Sequence, residues 1–221
     1  MNKIWYLSPS RQTANIGING NGTEAEQMYR LADCVTPHLD RCGVSCHLAD
    51  MEQTLADRVK EANAMGAGYY LALHSNAGGN GTACGPVGYY YSAGLPLAEK
   101  LVANLLATGQ KSNRSRNLVK NTSFYELKKP TAPAVLLEVD FHDSAEGVTF
   151  LTTRREDIAV AIAKAIVEMD GKQWVEPGSD AEQAVALGLL TPEGDDYWSS
   201  CMTHEDAAAA LLRLKAIMER G

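Results

Sequence analysis

Short apolar runs that alternate with helical patterns constrain the fold of this chain more than any other feature. The runs Tyr69–Leu73 and Pro133–Val139 are apolar and bounded by turn residues, as is typical of strands buried on both faces. Between such runs, apolar residues recur at helical spacing, as they do from Met28 to Leu39. Strands that alternate with helices predict an α/β fold, in which helices cover both faces of a mostly parallel sheet.

The polar residues that could carry chemistry lie where predicted strands end or helices begin. His74 directly follows an apolar strand, Glu138 ends another, and Glu24 opens the first predicted helix. In sheets of this kind, ligands bind beyond the carboxyl ends of the strands. A carboxylate such as Glu138 in a buried strand is unfavourable unless it is paired or bound to a metal. We therefore expect these three residues to meet above one edge of the sheet.

Each of these residues also has a purely structural interpretation. A lone histidine at a strand end is commonly structural, Glu138 fits a buried ion pair, and the helix dipole favours an acid such as Glu24 in the first turn. Their combination, with His142 four residues beyond Glu138, changes the interpretation. A catalytic zinc site takes three protein ligands from His and Asp/Glu and leaves one position open for water. A fourth group then serves as general base.

Three motifs carry a resemblance to a known family: Gly22-Thr23-Glu24, LALHSNA at Leu71–Ala77, and KPTAPAVLLEVDFHD at Lys129–Asp143. Over about Lys3–Met169 the chain resembles the zinc-dependent N-acetylmuramoyl-L-alanine amidases of the type-3 amidase family. These enzymes cut the amide between N-acetylmuramic acid and the first L-alanine of peptidoglycan. The tripeptide Ser8-Pro9-Ser10 after the first strand resembles the one found at this place in a phage or prophage lysin-like branch of the family. The resemblance implies a twisted six-stranded sheet flanked by helices.

The resemblance assigns roles to individual residues. It implies that Glu24 and His74 are zinc ligands and that Glu138 is the catalytic base. The family's other histidine lies in a turn after strand one, but the corresponding turn, Ser8–Asn15, has no histidine and carries Ala14. We predict that His142 replaces it as the third metal ligand. Gln12 is a poorer substitute because amide ligands to zinc are uncommon.

The implied mechanism is hydrolysis by a zinc-activated water, with Glu138 moving the proton. For substrate contact we select Asn76, Arg116 and Asn117. Two other functions remain open at this point. One is a non-enzymatic wall-binding protein of the same fold whose metal site has decayed, and the other is a zinc peptidase or deacylase that acts on a non-wall amide.

The composition changes near residue 173. From Glu176 onward there are nine acidic and three basic residues, so this part carries −6 of the net charge of −7. We place the amidase domain at residues 1–172 and a small helical appendage at residues 173–221. The appendage resembles a single S-layer-homology-like repeat, which implies wall binding or self-association into a homo-oligomer.

Charge and hydropathy exclude some classes of partner. The net charge of −7 argues against nucleic-acid binding, and no apolar run approaches the 18 residues of a membrane span. The N-terminus has no apolar signal core, so we expect synthesis in the cytoplasm without a recognisable signal peptide, followed by action on the cell wall. The five cysteines are scattered, which favours free thiols over a disulfide framework.

Overall fold

The computed structural model describes residues 3–78 and 80–176, together with Leu211, Leu212 and Lys215. The chain divides into two units, Met1–Val175 and Glu176–Gly221. Most of the predicted appendage at residues 173–221 lies outside the described residues. Its helical structure and its role in wall binding or self-association therefore stay predictions.

Six strands form one sheet in the first unit. In chain order they are β1 (Trp5–Pro9), β2 (Cys46–Leu48), β3 (Tyr69–Asn76), β4 (Val87–Tyr91), β5 (Leu118–Lys120) and β6 (Ala134–Phe141). Their order across the sheet is β2-β1-β3-β6-β4-β5. Neighbouring strands are parallel except β4 and β6, which are antiparallel. The predicted α/β fold with a mostly parallel six-stranded sheet is confirmed.

Six α-helices flank this sheet within the described residues. They are α1 (Glu24–Arg41), α2 (Leu55–Ala64), α3 (Leu95–Ala107), α4 (Tyr125–Lys128), α5 (Ala145–Thr153) and α6 (Arg155–Met169). A capping box starts α1, because the Thr23 hydroxyl accepts from the backbone N–H of Glu26 and the Glu26 carboxylate accepts from that of Thr23. This cap fixes Glu24 as the first helical residue. In the described part of the chain, no helix is long and apolar enough to cross a bilayer.

The sheet separates two hydrophobic cores. The larger core packs α1, α3 and α6 against one face, which includes Leu71 and Leu73 of β3. The smaller core packs α2 and α4 against the other face, which includes Tyr70 and Ala72. Because successive side chains of a strand point to opposite faces, the next residue on the smaller face is His74.

Two local predictions are corrected by the structure. The stretch Gln110–Asn121 is polar and basic, which predicts a long loop, but it contains the strand β5, which is only three residues long and lies at the sheet edge. β3 also continues beyond Leu73 to Asn76, since His74 still pairs with Glu138 of β6. His74, Ser75 and Asn76 therefore belong to the strand, and its pairing with β6 holds them in place.

A fully buried arginine ties the end of β1 to the elements around it. Arg58 of α2 donates to the carbonyl oxygens of Pro9 at 2.5 Å and Asp50 at 2.8 Å, to Ser8 Oγ at 3.3 Å, and to the Tyr29 hydroxyl. A buried charge is unfavourable unless its donors are satisfied, and here both terminal nitrogens have acceptors, whereas Nε has no hydrogen-bond partner among the described residues. Arg58 therefore holds β1, the loop after β2 and α1 in one arrangement.

We expect Arg58→Met to lower the free energy of unfolding by about 3 kcal/mol or more, because it leaves several buried acceptors unpaired. Urea denaturation followed by circular dichroism measures this loss. The matched control is Arg30→Met, at an exposed position of α1, which should stay within about 0.5 kcal/mol of the parent. Equal losses in the two variants would contradict the role given to Arg58.

Candidate functional site

Side chains from five parts of the chain meet near the carboxyl ends of β1, β3 and β6. His74 and Glu138 are register partners on neighbouring parallel strands, so both side chains leave the same face of the sheet. Glu24 reaches His74 from the first turn of α1, Gln12 from the loop after β1, and Glu126 from α4. The structure thus brings together three of the residues predicted from the sequence.

The imidazole of His74 lies between two buried carboxylates. Its Nδ1 is 2.8 Å from Glu24 Oε1, and its Nε2 is 3.2 Å from Glu126 Oε2. Burial alone would lower the pKa of His74, but hydrogen bonds to Glu126 and Glu24 and the charges of Glu126 and Glu138 outweigh it and raise the pKa to about 10. At neutral pH the ring is therefore an imidazolium that donates to both carboxylates.

The loop after β1 completes the environment of Glu24. Asn15 Nδ2 donates to Glu24 Oε2 at 2.7 Å, and Gln12 Nε2 lies 3.3 Å from Glu24 Oε1 and 3.4 Å from His74 Nδ1. Burial would raise the pKa of Glu24, but the hydrogen bonds from His74 and Asn15 bring it below its ordinary value. Glu24 is therefore ionised at neutral pH.

Glu126 is a site residue that the sequence analysis did not predict. Its Oε1 accepts from Ser8 Oγ at 2.7 Å and from the Tyr70 hydroxyl at 2.9 Å, while its Oε2 faces His74. Burial would raise its pKa, but its hydrogen bond with His74 and the charge of that ring lower it. A signal was present in the sequence, because Ser8 and Tyr70 are polar groups on buried strands that need a partner.

Glu138 is the carboxylate of this site that lacks a partner. Its Oε2 is buried and has no hydrogen-bond partner among the described residues. Burial raises its pKa to about 7, against the opposing charge of His74 and with help from the charges of Glu24 and Glu126. A buried polar atom without a partner in the protein indicates a place for water or a ligand.

A cleft of about 230 Å³ opens in front of Glu138. Its lining combines the charged groups of the site with apolar and aromatic side chains: Gln12, Leu55, His74, Phe124, Tyr125, Glu126, Leu136 and Glu138. A few charged groups in a mainly apolar cleft are typical of a binding site for a small part of a substrate.

Among the described residues, no hydrogen bond joins the His142 side chain to Glu24, His74 or Glu138, although His142 lines a small pocket together with Glu24. Its Nδ1 is 2.9 Å from Ser75 Oγ, and its backbone N–H donates to the carbonyl oxygen of Asn76 at 2.9 Å. Ser75 follows His74 in an extended strand, so its side chain leaves the opposite face of the sheet. The pairing of β3 with β6 shifts register after His74, which gives His142 this neighbour. A ligand role for His142 stays a prediction without a contact to support it.

The three predicted substrate residues lie outside the lining of the cleft, as far as the described residues define it. Asn76 Oδ1 accepts from the backbone N–H of Ala77 at 2.8 Å. Asn117 Nδ2 donates to the carbonyl oxygen of Pro86 at 2.7 Å, which supports the start of β5. Arg116 is exposed. Their contact with substrate stays a prediction.

The donor atoms of the site fit a divalent metal ion, provided that a third ligand is available. A carboxylate oxygen of Glu24 faces Nδ1 of His74, and the other ring nitrogen bonds to Glu126, as metal-binding histidines commonly do with a carboxylate. Within the described residues, no group of three His, Cys, Asp or Glu side chains could hold a metal ion. Glu24 and His74 are therefore the two predicted ligands that the structure brings into contact.

A family model described as N-acetylmuramoyl-L-alanine amidase matches residues 7–168, which is most of the chain. No curated protein sequence matches the chain.

Several solved structures share the fold. The N-acetylmuramoyl-L-alanine amidase AmiC2 of Nostoc punctiforme superposes with a TM-score of 0.69 at 24% identity, over 76% of this chain and 96% of that one. The catalytic domain of the amidase CwlV from Bacillus (Paenibacillus) polymyxa var. colistinus gives 0.68 at 20% identity, over 77% and 99%. The catalytic domain of the CD27L endolysin, which targets Clostridia difficile, gives 0.62 at 22% identity, over 76% and 98%. At these identities the likeness establishes the fold.

The contact between Glu126 and His74 generates one prediction. Glu126→Gln keeps the shape of the side chain but removes its charge, so the pKa of His74 should fall. An NMR titration of isotope-labelled histidine in EDTA-treated protein measures the change. Glu61→Gln is the matched control, since Glu61 bonds to Tyr6 and His47. A His74 titration that is the same in Glu126→Gln and in the parent would contradict this pairing.

The unpartnered Glu138 generates a second prediction. Its pKa is about 7 in the folded protein against 4.5 as the ordinary value, so the folded state holds a proton that the unfolded chain has already released. The free energy of unfolding should therefore fall as pH rises from about 4.5 to 7. Glu138→Gln removes this effect and should be more stable than the parent at pH 8, by up to about 3 kcal/mol.

Urea unfolding of EDTA-treated protein at pH 5 and pH 8 tests this prediction. The gain from Glu138→Gln should be much smaller at pH 5. Glu99→Gln, at an exposed position of α3, should give the same difference from the parent at both values of pH. A Glu138→Gln variant that is less stable than the parent at pH 8 would show that the carboxylate has a partner in the folded protein.

Proposed function

This chain belongs to the N-acetylmuramoyl-L-alanine amidase family, and we propose that it hydrolyses the amide bond between N-acetylmuramic acid and the L-alanine of the peptidoglycan stem peptide. The observation that carries the proposal is the unpartnered Oε2 of Glu138, in a cleft that also contains His74. Its partner in the reaction is peptidoglycan, and its place of action is the cell wall.

Zinc is the cofactor that we propose, with Glu24 and His74 as two of its ligands. When bound, the ion polarises the amide carbonyl and lowers the pKa of the attacking water. Glu126 holds the Nε2 side of the His74 ring, which leaves Nδ1 directed towards Glu24. Fixing the ring in this way determines which nitrogen is available to a metal.

Glu138 moves the proton in the proposed reaction. A general base works best when its pKa lies near the operating pH, and in the metal-free protein burial raises the pKa of Glu138 to about 7. Its free Oε2 accepts a proton from the attacking water. The same carboxyl group then donates that proton to the alanine nitrogen, so that the amine leaves in neutral form.

The walls of the cleft suit the remainder of the substrate. Phe124 and Tyr125 are 37% and 42% exposed, and they precede and start the short helix that carries Glu126. Aromatic rings offer broad apolar surfaces to a bound molecule, and a Tyr hydroxyl adds a hydrogen-bonding group. We assign these two residues to substrate contact, in addition to those predicted from the sequence.

Digestion of purified sacculi, followed by mass spectrometry, tests the proposed function. An amidase releases intact stem peptides that begin with a free L-alanine amine and leaves the glycan chains uncut. Cuts within the peptide would instead indicate a zinc peptidase. Binding to sacculi in a pelleting assay without any cleavage would indicate a non-enzymatic wall-binding protein.

In the same assay we expect Glu138→Gln to cleave about 10²–10⁴-fold more slowly than the parent, because its side chain can no longer accept a proton. Glu99→Gln again serves as control and should retain the parental rate. The variant should fold normally, and its gain in stability at pH 8 distinguishes loss of chemistry from loss of structure. More than half of the parental rate in Glu138→Gln would exclude this residue as the general base.

A further inference from the structure

We infer that the side-chain amide of Gln12 is the third protein ligand of the metal site, so that the ligands are Gln12 Oε1, Glu24 Oε1 and His74 Nδ1. The inference rests on the proposed function in one respect, namely that the metal is zinc. It assigns a metal-binding role to a residue of the loop in which the expected histidine is missing.

The distances between the three side chains support this assignment. Donor atoms that share a tetrahedral zinc with bonds of about 2.0–2.1 Å lie about 3.3–3.4 Å from one another. The Gln12 amide atom that faces the site is 3.3 Å from Glu24 Oε1 and 3.4 Å from His74 Nδ1. The third distance, between Glu24 and His74, is 2.8 Å, and it has to lengthen by about half an ångström.

The backbone holds Gln12 in this place. The carbonyl oxygen of Gln12 accepts from the N–H of Ala25 at 3.4 Å, and that of Asn15 accepts from the N–H of Glu24 at 2.8 Å. The loop is therefore attached to the first turn of α1, which also carries the Glu24 ligand. A side chain anchored at this point is positioned before any ion binds.

A half-turn of the terminal amide supplies the correct donor atom. In the present orientation Gln12 Nε2 faces Glu24, and Gln12 Oε1 accepts from Asn15 Nδ2 at 2.8 Å. The two amide atoms occupy equivalent places, so the half-turn puts Oε1 towards the metal. The half-turn brings Gln12 Nε2 to face Asn15 Nδ2, which is also a donor, so these two groups have to move apart, and water can then accept from both because Gln12 is exposed. Asn15 can keep its bond to Glu24 Oε2, which leaves Oε1 of that carboxylate for the ion.

Metal affinity measured without substrate tests the inference directly. The full chain is stripped with EDTA, and Zn²⁺ is then titrated in competition with a chromophoric chelator. We expect Gln12→Ala to weaken zinc binding at least about tenfold, since even residues that only support metal ligands contribute that much. Gln12→His should tighten binding, because imidazole is a better zinc ligand than an amide.

Matched controls separate this effect from damage to the loop. Thr13→Ala changes an exposed neighbour in the same loop and should leave the zinc affinity unchanged. The Co²⁺-loaded protein gives a second measurement, since its visible spectrum should change in Gln12→His, where an oxygen donor becomes a nitrogen donor. Thermal midpoints of the EDTA-treated variants should equal that of the parent because Gln12 is exposed.

Several outcomes would overturn the inference. Parental zinc affinity in Gln12→Ala would exclude Gln12 as a ligand, and weakened binding in His142→Ala alone would favour His142 instead. A parent that binds no zinc would overturn both this inference and the proposed cofactor, and the sacculus assay with EDTA would then decide hydrolysis separately. Normal zinc binding with no cleavage of sacculi would leave the inference intact and overturn the proposed function.

Discussion

The contact on which the site depends is the ring of His74 between the carboxylates of Glu24 and Glu126. Buried charged groups are stable only when they are paired and hydrogen-bonded. Here the ring provides a positive charge and two N–H donors, and the two carboxylates provide the negative charges and the acceptors. The pairing also extends outward, because Ser8 donates to Glu126 and Arg58 donates to Ser8. One continuous set of hydrogen bonds therefore joins the buried arginine that organises β1 to the histidine at the centre of the site.

Glu138, in contrast, is not paired. It lies beside this paired cluster, yet its Oε2 has no hydrogen-bond partner in the described part of the chain. An isolated carboxylate in a buried strand destabilises the folded protein above its pKa, and such a residue persists where function requires it. The contrast between paired and unpaired carboxylates separates two roles. Glu24 and Glu126 are held in the ionised state, whereas Glu138 can gain and lose a proton near neutral pH.

The sequence predicted the fold and part of the site for identifiable physical reasons. Alternating apolar runs and helical spacing indicate the sheet and its helices, and residues at strand ends, such as His74 and Glu138, follow from the same pattern. Glu126 was missed because its connection to His74 is tertiary and its helix is only four residues long. For His142, the prediction depended on the path of β6 beyond Glu138. The shift in pairing after His74 gives it Ser75 as a neighbour, and residue alternation does not reveal such a shift.

The inferred role of Gln12 explains how a site of this kind could tolerate a loop after β1 without a histidine. A histidine that binds metal is neutral, and so is the amide of Gln12, so the exchange of one for the other leaves the charge of the ligand set unchanged. The electrostatic surroundings of Glu138 are set by burial and by the charges of the site, including that of a bound ion, and the exchange of one neutral ligand for another leaves those charges unchanged. The identity of the third ligand should therefore change the affinity for metal far more than the proton chemistry of Glu138. Metal binding and general-base catalysis are therefore separable in this arrangement, because they depend on residues of different strands and loops at one edge of the sheet.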